Sequence, residues 1–422
     1  MHEQNDHLKN KMNDEYSFPF AAGRVRSRRE IDKPTGASGA GIMNARENLV
    51  SLYRRQGYES APLGLHLCPA LEAEFARRHP EARGDYLAFF GAPYRIVYDP
   101  GFVWNFDEVW RIPGRGVRKG PEAKGGDAES PVRFQRYYPD GFTYAVRYDG
   151  WGVAHEENPN AHHMTRMYHP LTRASSVREI EAYPWPDFEG LDFSYLKPKV
   201  EEIHSQGLAV FVWAECTVWE TAWYLRGMEN LFVDMVGDRE MAERLLDVVT
   251  DLACYRVRKF AAAGADILGL GDDIGMQSAP LMSPDMYRGW LKPRLARVIA
   301  AAKAVAPDIL ISYHSCGYVE PFIDDLIEIG VDILNPVQPE CMSFEALHRT
   351  YGHKLSFSGT IGTQQMMPYG TPGQIREEVR RNLAAAGPAG GLFCTPTHML
   401  APEVPWENVE AYVEAVRNYR VK

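Results

Sequence analysis

Residues 265–273 read ADILGLGDD and residues 308–317 read DILISYHSCG, and these two stretches decide the fold. Each begins with a nearly continuous apolar run and ends in polar residues that can carry chemistry. Apolar runs of this length are typical of strands in a parallel sheet that is buried on both faces. The two stretches therefore predict parallel strands, one ending in an acidic pair and the other in a histidine and a cysteine.

The same pattern recurs along the chain. Further strands are predicted at 62–67, 209–215, 332–337, 354–359 and 391–396, and one more within 85–155, which makes eight. Helical segments separate them: SPDMYRGWLKPRLARVIAAAKAV (283–305) begins with a serine cap followed by proline. This alternation predicts a (β/α)8 TIM barrel, with a doubly wound open sheet as the alternative.

Two regions depart from the alternation. Residues 1–44 are polar and irregular, and we expect a flexible N-terminal extension there, with the barrel spanning 45–422. Residues 104–186 are rich in glycine, proline and aromatic residues, which favours a hairpin-rich insertion with a turn at Asp140-Gly141.

Composition narrows the class of protein. The 422 residues contain 46 Lys+Arg and 56 Asp+Glu, a formal net charge of −10, which disfavours a nucleic-acid partner. The longest apolar run, Leu208 to Ala214, is too short for a membrane helix. Residues 1–15 lack the apolar core of a secretory signal, and the six cysteines include no CxxC pair. We therefore expect a cytoplasmic protein with reduced thiols.

The polar residues after the 308–315 strand suggest a metal site. Residues two apart on a strand point to the same side, so His314 and Cys316 present an imidazole and a thiol to one point. Such groups at a strand end of a barrel are natural Zn²⁺ ligands. The alternative is a packed cysteine beside a hydrogen-bonded histidine.

Other strand ends supply further candidates. Either Cys394 or His398, after the last predicted strand, could complete the ligand set. Strand-end carboxylates that could act in catalysis or as a further ligand, or could instead cap the following helix, are Asp272, Asp273 and Glu215. His66 is a polar candidate for the pocket and completes the predicted catalytic group with Asp273 and Glu215. Predicted substrate contacts are Asn335, Gln338 and Gln364.

Several motifs in this order resemble the uroporphyrinogen decarboxylase superfamily, and within it the zinc-dependent, corrinoid-linked methyltransferase branch. The matching stretches are WAECTVWETAWYLRGME (213–229), GDDIGMQSAPLMSPDMYRGWLKP (271–293), YHSCG (313–317), DILNPVQP (332–339), SGTIGTQ (358–364), GTPGQIREEV (370–379) and PEVPWENVEAYVEAVRNY (402–419). The resemblance implies a (β/α)8 barrel, in agreement with the alternation.

The resemblance also implies a ligand set and an activity. In that branch an H-x-C pair, here His314 and Cys316, binds zinc with a cysteine after the last strand. The Pro-Trp-Glu-Asn stretch at 405–408 places His398 at that cysteine's position, with Cys394 as the alternative. The implied activity is methyl transfer between a small methylated compound, with a methyl ether as one candidate, and the cobalamin of a partner corrinoid protein. A histidine in place of the cysteine would make the metal a better Lewis acid.

Two rival functions remain open from the sequence. One is a decarboxylase-like lyase acting on a smaller carboxylic acid. The decarboxylases themselves carry an arginine-rich segment after the first strand, whereas Leu63 to Glu74 contains no arginine. The other rival is a non-catalytic barrel that docks a corrinoid protein.

Overall fold

A computed structural model describes residues 43–98, 134–156, 166–214 and 216–421. The strands are β1 (Tyr94–Val97), β2 (Val146–Tyr148), β3 (Ala154–Glu156), β4 (Met167–Tyr168), β5 (Ala209–Trp213), β6 (Ile267–Gly271), β7 (Leu310–His314), β8 (Ile333–Asn335), β9 (Ser356–Ser358) and β10 (Leu392–Phe393). The order β1-β5-β6-β7-β8-β9-β10 forms a curled sheet in which every pairing is parallel. The predicted TIM-barrel fold is confirmed.

Helices follow the parallel strands, and most helices of the described residues cover the outer face of this sheet. They are α1 (Ala45–Tyr53), α2 (Pro69–Arg78), α3 (Tyr86–Phe90), α4 (Val177–Glu181), α5 (Leu196–Ser205), α6 (Trp219–Arg226), α7 (Met228–Gly237), α8 (Arg239–Ala263), α9 (Pro284–Met286), α10 (Lys292–Lys303), α11 (Ile323–Glu328), α12 (Phe344–Tyr351), α13 (Met366–Tyr369), α14 (Pro372–Ala386) and α15 (Trp406–Asn418). None of the helices in the described ranges has the length and apolar character needed to cross a membrane.

The helix predicted at 283–305 is interrupted. Ser283 caps α9 as expected, but a π-helical turn at Tyr287–Leu291 separates α9 from α10. Pro293 lies in the first turn of α10. Because proline has no N–H to donate and its ring clashes with the carbonyl four residues earlier, it disrupts the regular helical ladder at this point.

Among the predicted strands, the segment at 62–67 differs from the others because it does not pair with the parallel sheet over several residues. Its pairing is a single parallel bridge between Leu67 and Leu400. The carbonyl of Gly64 accepts a hydrogen bond from the Tyr412 hydroxyl (2.7 Å) instead of from a neighbouring strand. The Tyr412 side chain therefore occupies a carbonyl that would otherwise accept a hydrogen bond from a neighbouring strand. The segment does not become a regular strand of the sheet.

Side-chain alternation divides the core into two layers. Phe211, Ile267, Leu310, Ile333 and Phe393 face the inside of the curled sheet and pack together. Their immediate neighbours along the strands face the outer helices. Helix α1 closes the amino-terminal end of the interior, because its buried residues Leu49, Leu52 and Tyr53 join the inner cluster.

The predicted insertion forms a separate small sheet in its described part. Strands β2, β3 and β4 pair in antiparallel order. A turn forms at Asp140-Gly141 as predicted, where the Gly141 N–H donates to the Tyr138 carbonyl (3.0 Å), but the hairpin turn between β2 and β3 is formed by Asp149 to Gly152. The Asp149 carboxylate accepts the backbone N–H groups of Trp151 and Val153 and so stabilises the turn at that place.

Parts of the predicted organisation stay predictions. The extension at 1–44 falls outside the described residues up to residue 42, as do residues 104–133 and 157–165 of the insertion at 104–186. The barrel span of 45–422 likewise remains a prediction.

Asp266, before β6, fixes the amino-terminal end of the sheet. Its carboxylate accepts hydrogen bonds from Arg46 Nε (2.8 Å) and Val210 N (2.8 Å), and it lies 2.9 Å from His204 Nε2. Only 7% of its side chain is exposed. We expect Asp266→Ala to lower the free energy of unfolding by about 2–4 kcal/mol, because the buried Val210 N–H and two partly exposed side-chain partners lose a charged acceptor.

Urea unfolding would measure this loss. Asp308→Ala is the matched control, since Asp308 is 97% exposed and approaches Arg54 at 4.0 Å. It should change stability by less than about 0.5 kcal/mol. Equal effects of the two substitutions would contradict the role assigned to Asp266.

Candidate metal centre

The carboxyl ends of β6 and β7 bring three potential metal ligands together. Ligand atoms of Asp273, His314 and Cys316 all lie within 4.8 Å of one another. Cys316 Sγ is 3.6 Å from His314 Nε2, and Asp273 Oδ1 is 4.0 Å from the same nitrogen. Donors around a tetrahedral zinc lie about 3.3–3.8 Å apart, given bond lengths of about 2.0–2.3 Å. The three side chains therefore fit a zinc ion with small adjustments.

Alternation along the strands explains why these three side chains converge. Residues 267, 269 and 271 of β6 face the interior, so Asp273 continues the inward series after the strand. His314 and Cys316 continue the inward series of β7 in the same way. The backbone N–H of Cys316 donates to Asp273 Oδ1 (2.7 Å), which joins the two strand ends directly.

A hydrogen bond fixes the orientation of the His314 ring. Its Nδ1 lies 2.7 Å from Asn335 Oδ1 at the end of β8. Because an amide oxygen only accepts, Nδ1 carries the proton and Nε2 presents its lone pair to the cluster, on the side of Cys316 Sγ. Such an outer partner is typical of metal-binding histidines. Asn335 was predicted to contact substrate. In the structure its amide oxygen contacts and orients His314, which is a candidate metal ligand.

Asp272 has a different task from Asp273. It points outward, and its carboxylate accepts backbone N–H groups from Val218 (3.1 Å) and Glu220 (2.9 Å) at the start of α6. Burial raises the pKa of Asp272 to about 7 despite these bonds. Asp272 thus holds the start of α6 against the carboxyl end of β6.

Glu220 is a candidate site residue that the sequence reading missed. Its Oε1 accepts a hydrogen bond from the Tyr224 hydroxyl (3.0 Å). Burial, together with the nearby charges of Asp273 and Asp272, raises the pKa of Glu220 to about 8. The signal for it was weak, since a glutamate in the first turn of a helix is ordinarily only a helix-stabilising charge.

The clustered carboxyl groups at this site favour a bound cation. Burial, and to a lesser extent the neighbouring carboxyl groups, raise the pKa values of Asp272 and Glu220. A divalent metal ion between Asp273, His314 and Cys316 would stabilise the ionised carboxylates. The donor set and its electrostatic surroundings therefore fit the implied zinc.

The two candidates for the third ligand lie in different surroundings. Cys394 follows the inward Phe393, so its side chain faces the outer helices, where its Sγ contacts Thr360 Oγ1 at 3.6 Å. Burial raises the pKa of the Cys394 thiol to about 12, which disfavours the thiolate that zinc binds. The ring of His398 lies 6.1 Å from that of His314, centroid to centroid. His398 thus stays the predicted third ligand, although it does not belong to the group of ligand atoms that Asp273, His314 and Cys316 form.

The remaining predicted site residues that the structure describes have other contacts. Gln338 is buried, and its Oε1 accepts the backbone N–H of Gly317 (3.0 Å), so it supports the loop that carries Cys316. The exposed Gln364 pairs with the amide of Gln277. His66 has an exposed side chain, and its carbonyl accepts the N–H of Leu400. Glu215 lies outside the described residues.

Comparisons with known proteins identify relatives. A family model described as uroporphyrinogen decarboxylase (URO-D) matches residues 172–419. The methylated-thiol–coenzyme M methyltransferase of Methanosarcina mazei is 28% identical over 201 residues, 46% of this chain and 50% of the relative. The methylcobamide:CoM methyltransferase MtaA of Methanosarcina barkeri is 27% identical over 181 residues, 43% and 50% of the two chains. The chain thus spans about half the length of these curated relatives.

Two further comparisons bear on family and fold. The uroporphyrinogen decarboxylase of Actinobacillus succinogenes is 24% identical over 258 residues, 59% of this chain and 70% of the relative. The solved structure of a methyltransferase from Methanosarcina mazei superposes with a TM-score of 0.60 at 16% identity, covering 89% of this chain and 98% of that one. This structural likeness supports the barrel fold.

The assignment of the third ligand can be tested by metal content. We expect His398→Ala to lower zinc content severely in protein purified without chelators, because one of the predicted protein ligands is removed. Cys394→Ser should keep its zinc and lose about 1–3 kcal/mol of stability through the buried hydroxyl. Zinc lost in Cys394→Ser and kept in His398→Ala would reverse the assignment.

The pKa of Glu220 predicts how stability depends on pH in metal-free protein. Since the folded-state pKa is raised to about 8, the folded protein keeps a proton that the unfolded chain releases near pH 4.5. This contribution to stability is present below pH 4.5 and is lost as the pH rises towards 8. Glu220→Gln should therefore raise the melting temperature at pH 8 relative to the parent, and change it little at pH 4.5.

Differential scanning calorimetry after chelator treatment would measure both values. The exposed Glu229 offers a control, because Glu229→Gln should show no such pH-dependent gain. A gain for Glu220→Gln that is the same at both pH values would contradict the electrostatic explanation.

Proposed function

Because this chain belongs to the uroporphyrinogen decarboxylase family, we propose that it transfers a methyl group between a small methylated compound and the cobalamin of a partner corrinoid protein. The main support is the group formed by Asp273, His314 and Cys316 at the carboxyl ends of the strands. In TIM-barrel enzymes this end of the sheet carries the active site. The names of the two methanosarcinal relatives, which are methyltransferases, agree with this activity.

We assign the metal to His314, Cys316 and His398, with Asp273 beside them. Zinc bound there would act as a Lewis acid on the heteroatom that carries the methyl group. With His398 in place of a second thiolate, the ligand set donates less negative charge, which favours polarisation of an ether oxygen. We therefore propose the demethylation of a methyl ether as the reaction.

The overall reaction balances without a further redox partner. The carbon–oxygen bond of the ether breaks and a carbon–cobalt bond forms, with both electrons of the new bond supplied by the reduced corrinoid of the partner. The oxygen leaves with the electron pair of the broken bond and takes a proton to give the alcohol or phenol. The contribution of this chain is to hold the ether through a correctly oriented metal site. Asn335 orients His314, and the Cys316 N–H orients Asp273.

A decarboxylase-like activity fits the site less well. The segment from Leu63 to Glu74 contains no arginine to bind a carboxylate-rich substrate. The raised pKa values of Asp272 and Glu220 indicate that this region disfavours the charge of a further carboxylate, as an acidic substrate would bring. The surroundings of the site therefore favour a neutral methyl donor.

Methyl transfer can be measured with free cob(I)alamin in place of the unidentified partner. Zinc-loaded protein should form methylcobalamin from a methyl ether, followed by the change in the corrinoid absorption spectrum. The double variant His314→Ala/Cys316→Ala should fall to the background rate, because the metal is lost. Cys254→Ser, at a buried position on α8, is the control and should keep the parent rate.

Two outcomes would argue against the proposal. One is turnover that is unchanged in the double variant. The other is release of carbon dioxide from a carboxylic acid with no methyl transfer from any of the ethers, amines or thiols supplied.

A further inference from the structure

Trp213 lies in the barrel interior directly below the candidate metal centre. On β5, Ala209 and Phe211 face inward, and Trp213 continues this series and packs against the same inner cluster. It pairs in register with Gly269 of β6, which pairs with Ser312 of β7. His314 is two residues further along β7, so the indole occupies the interior layer immediately beneath the cluster.

The layer that contains Trp213 is shaped by small neighbours. A Cβ atom at Gly269 would lie 1.9 Å from the indole ring, well inside any possible contact distance. The inward residue of β7 at this level is Ser312, which is also small and is buried. Glycine at 269 therefore lets the indole lie across the interior, where a larger residue would force it out.

The indole is supported from below and is not completely covered. Phe211 stacks against it, with ring centroids 5.9 Å apart and an angle of 28° between the ring planes. Trp213 is nevertheless only partly buried, whereas Phe211 belongs to the buried interior. Since the inner apolar cluster lies on the side of Phe211, the remaining exposed area faces the carboxyl end of the barrel.

We propose that Trp213 is the floor of the substrate pocket and that the methyl donor is an aryl methyl ether whose ring stacks on the indole. This inference rests on the proposed function and specifies its substrate class. A flat apolar surface favours an aromatic ring over an aliphatic group, because offset stacking adds to the burial of area. A phenolate also leaves more readily than an alkoxide, since a phenol has a pKa near 10.

The test is ligand binding to the zinc-loaded protein without any corrinoid. Isothermal titration calorimetry would compare anisole with methoxycyclohexane, which has the same ether group on a saturated ring. Anisole should bind about two- to twelvefold more tightly, the advantage expected from aromatic stacking. Trp213→Phe should keep most of this preference, whereas Trp213→Leu should abolish it.

Gly269→Ala provides an independent variant, because the added methyl group displaces the indole while all metal ligands remain. It should also abolish the preference for anisole. Gly373→Ala is its matched control: the nearest atom to a Cβ there is Thr371 Oγ1 at 3.9 Å. Zinc content and melting temperature would confirm that each variant is folded, and Trp213→Leu decides the question if Gly269→Ala does not fold.

The outcomes separate this inference from the proposed function. Any one of three results would overturn the aromatic substrate class. They are equal binding of anisole and methoxycyclohexane, an unchanged preference for anisole in Trp213→Leu, and tighter binding of tetramethylammonium than of anisole. Methyl transfer from aliphatic ethers would then still leave the proposed function standing. A stacking preference that depends on Trp213, in a protein that transfers no methyl group, would support the pocket floor and contradict the proposed function.

Discussion

The alternation of side chains along parallel strands determines what this protein can present at its candidate metal centre. On β6 and β7 the inward series ends in Asp273, His314 and Cys316, and their ligand atoms converge within 4.8 Å. Asp272, one residue before Asp273, points to the opposite side and accepts backbone N–H groups at the start of α6. The same rule turns Cys394 towards the helices, so the position of a cysteine in the sequence does not by itself make it a ligand.

Hydrogen bonds and charge make this arrangement specific. Asn335 fixes the tautomer of His314, and the Cys316 N–H fixes the Asp273 carboxylate, so each donor has an outer partner. The carboxyl groups of Asp272 and Glu220 lie in the same poorly solvated region, and the pKa of each is raised. A site with clustered carboxyl groups and preoriented nitrogen and sulfur donors is suited to a divalent cation, and a neutral ether is then a more compatible substrate than a carboxylic acid.

Much of the fold could be predicted because apolar runs such as 265–271 and 308–315 carry a strong signal for buried parallel strands. The segment 62–67 carries a similar signal but does not join the ladder, because a contact that is remote in sequence, from Tyr412, occupies its carbonyl. At the site, residue type and spacing predicted His314, Cys316 and Asp273 as functional candidates. Three other features depend on residues that are distant in sequence, and a single sequence does not show which residues become neighbours. They are the contact of Asn335 with His314, the raised pKa of Glu220, and the space that Gly269 leaves for Trp213.

Zinc K-edge X-ray absorption spectroscopy of the purified protein is the decisive measurement for the proposed metal centre, because it counts sulfur and nitrogen or oxygen donors around the metal. We expect one sulfur at about 2.3 Å, from Cys316, with nitrogen or oxygen donors at about 2.0–2.1 Å. Two sulfur donors would mean that a second cysteine reaches the metal, against the alternation that turns Cys394 outward. A spectrum without sulfur donors, or a protein that binds no zinc, would contradict the metal centre itself.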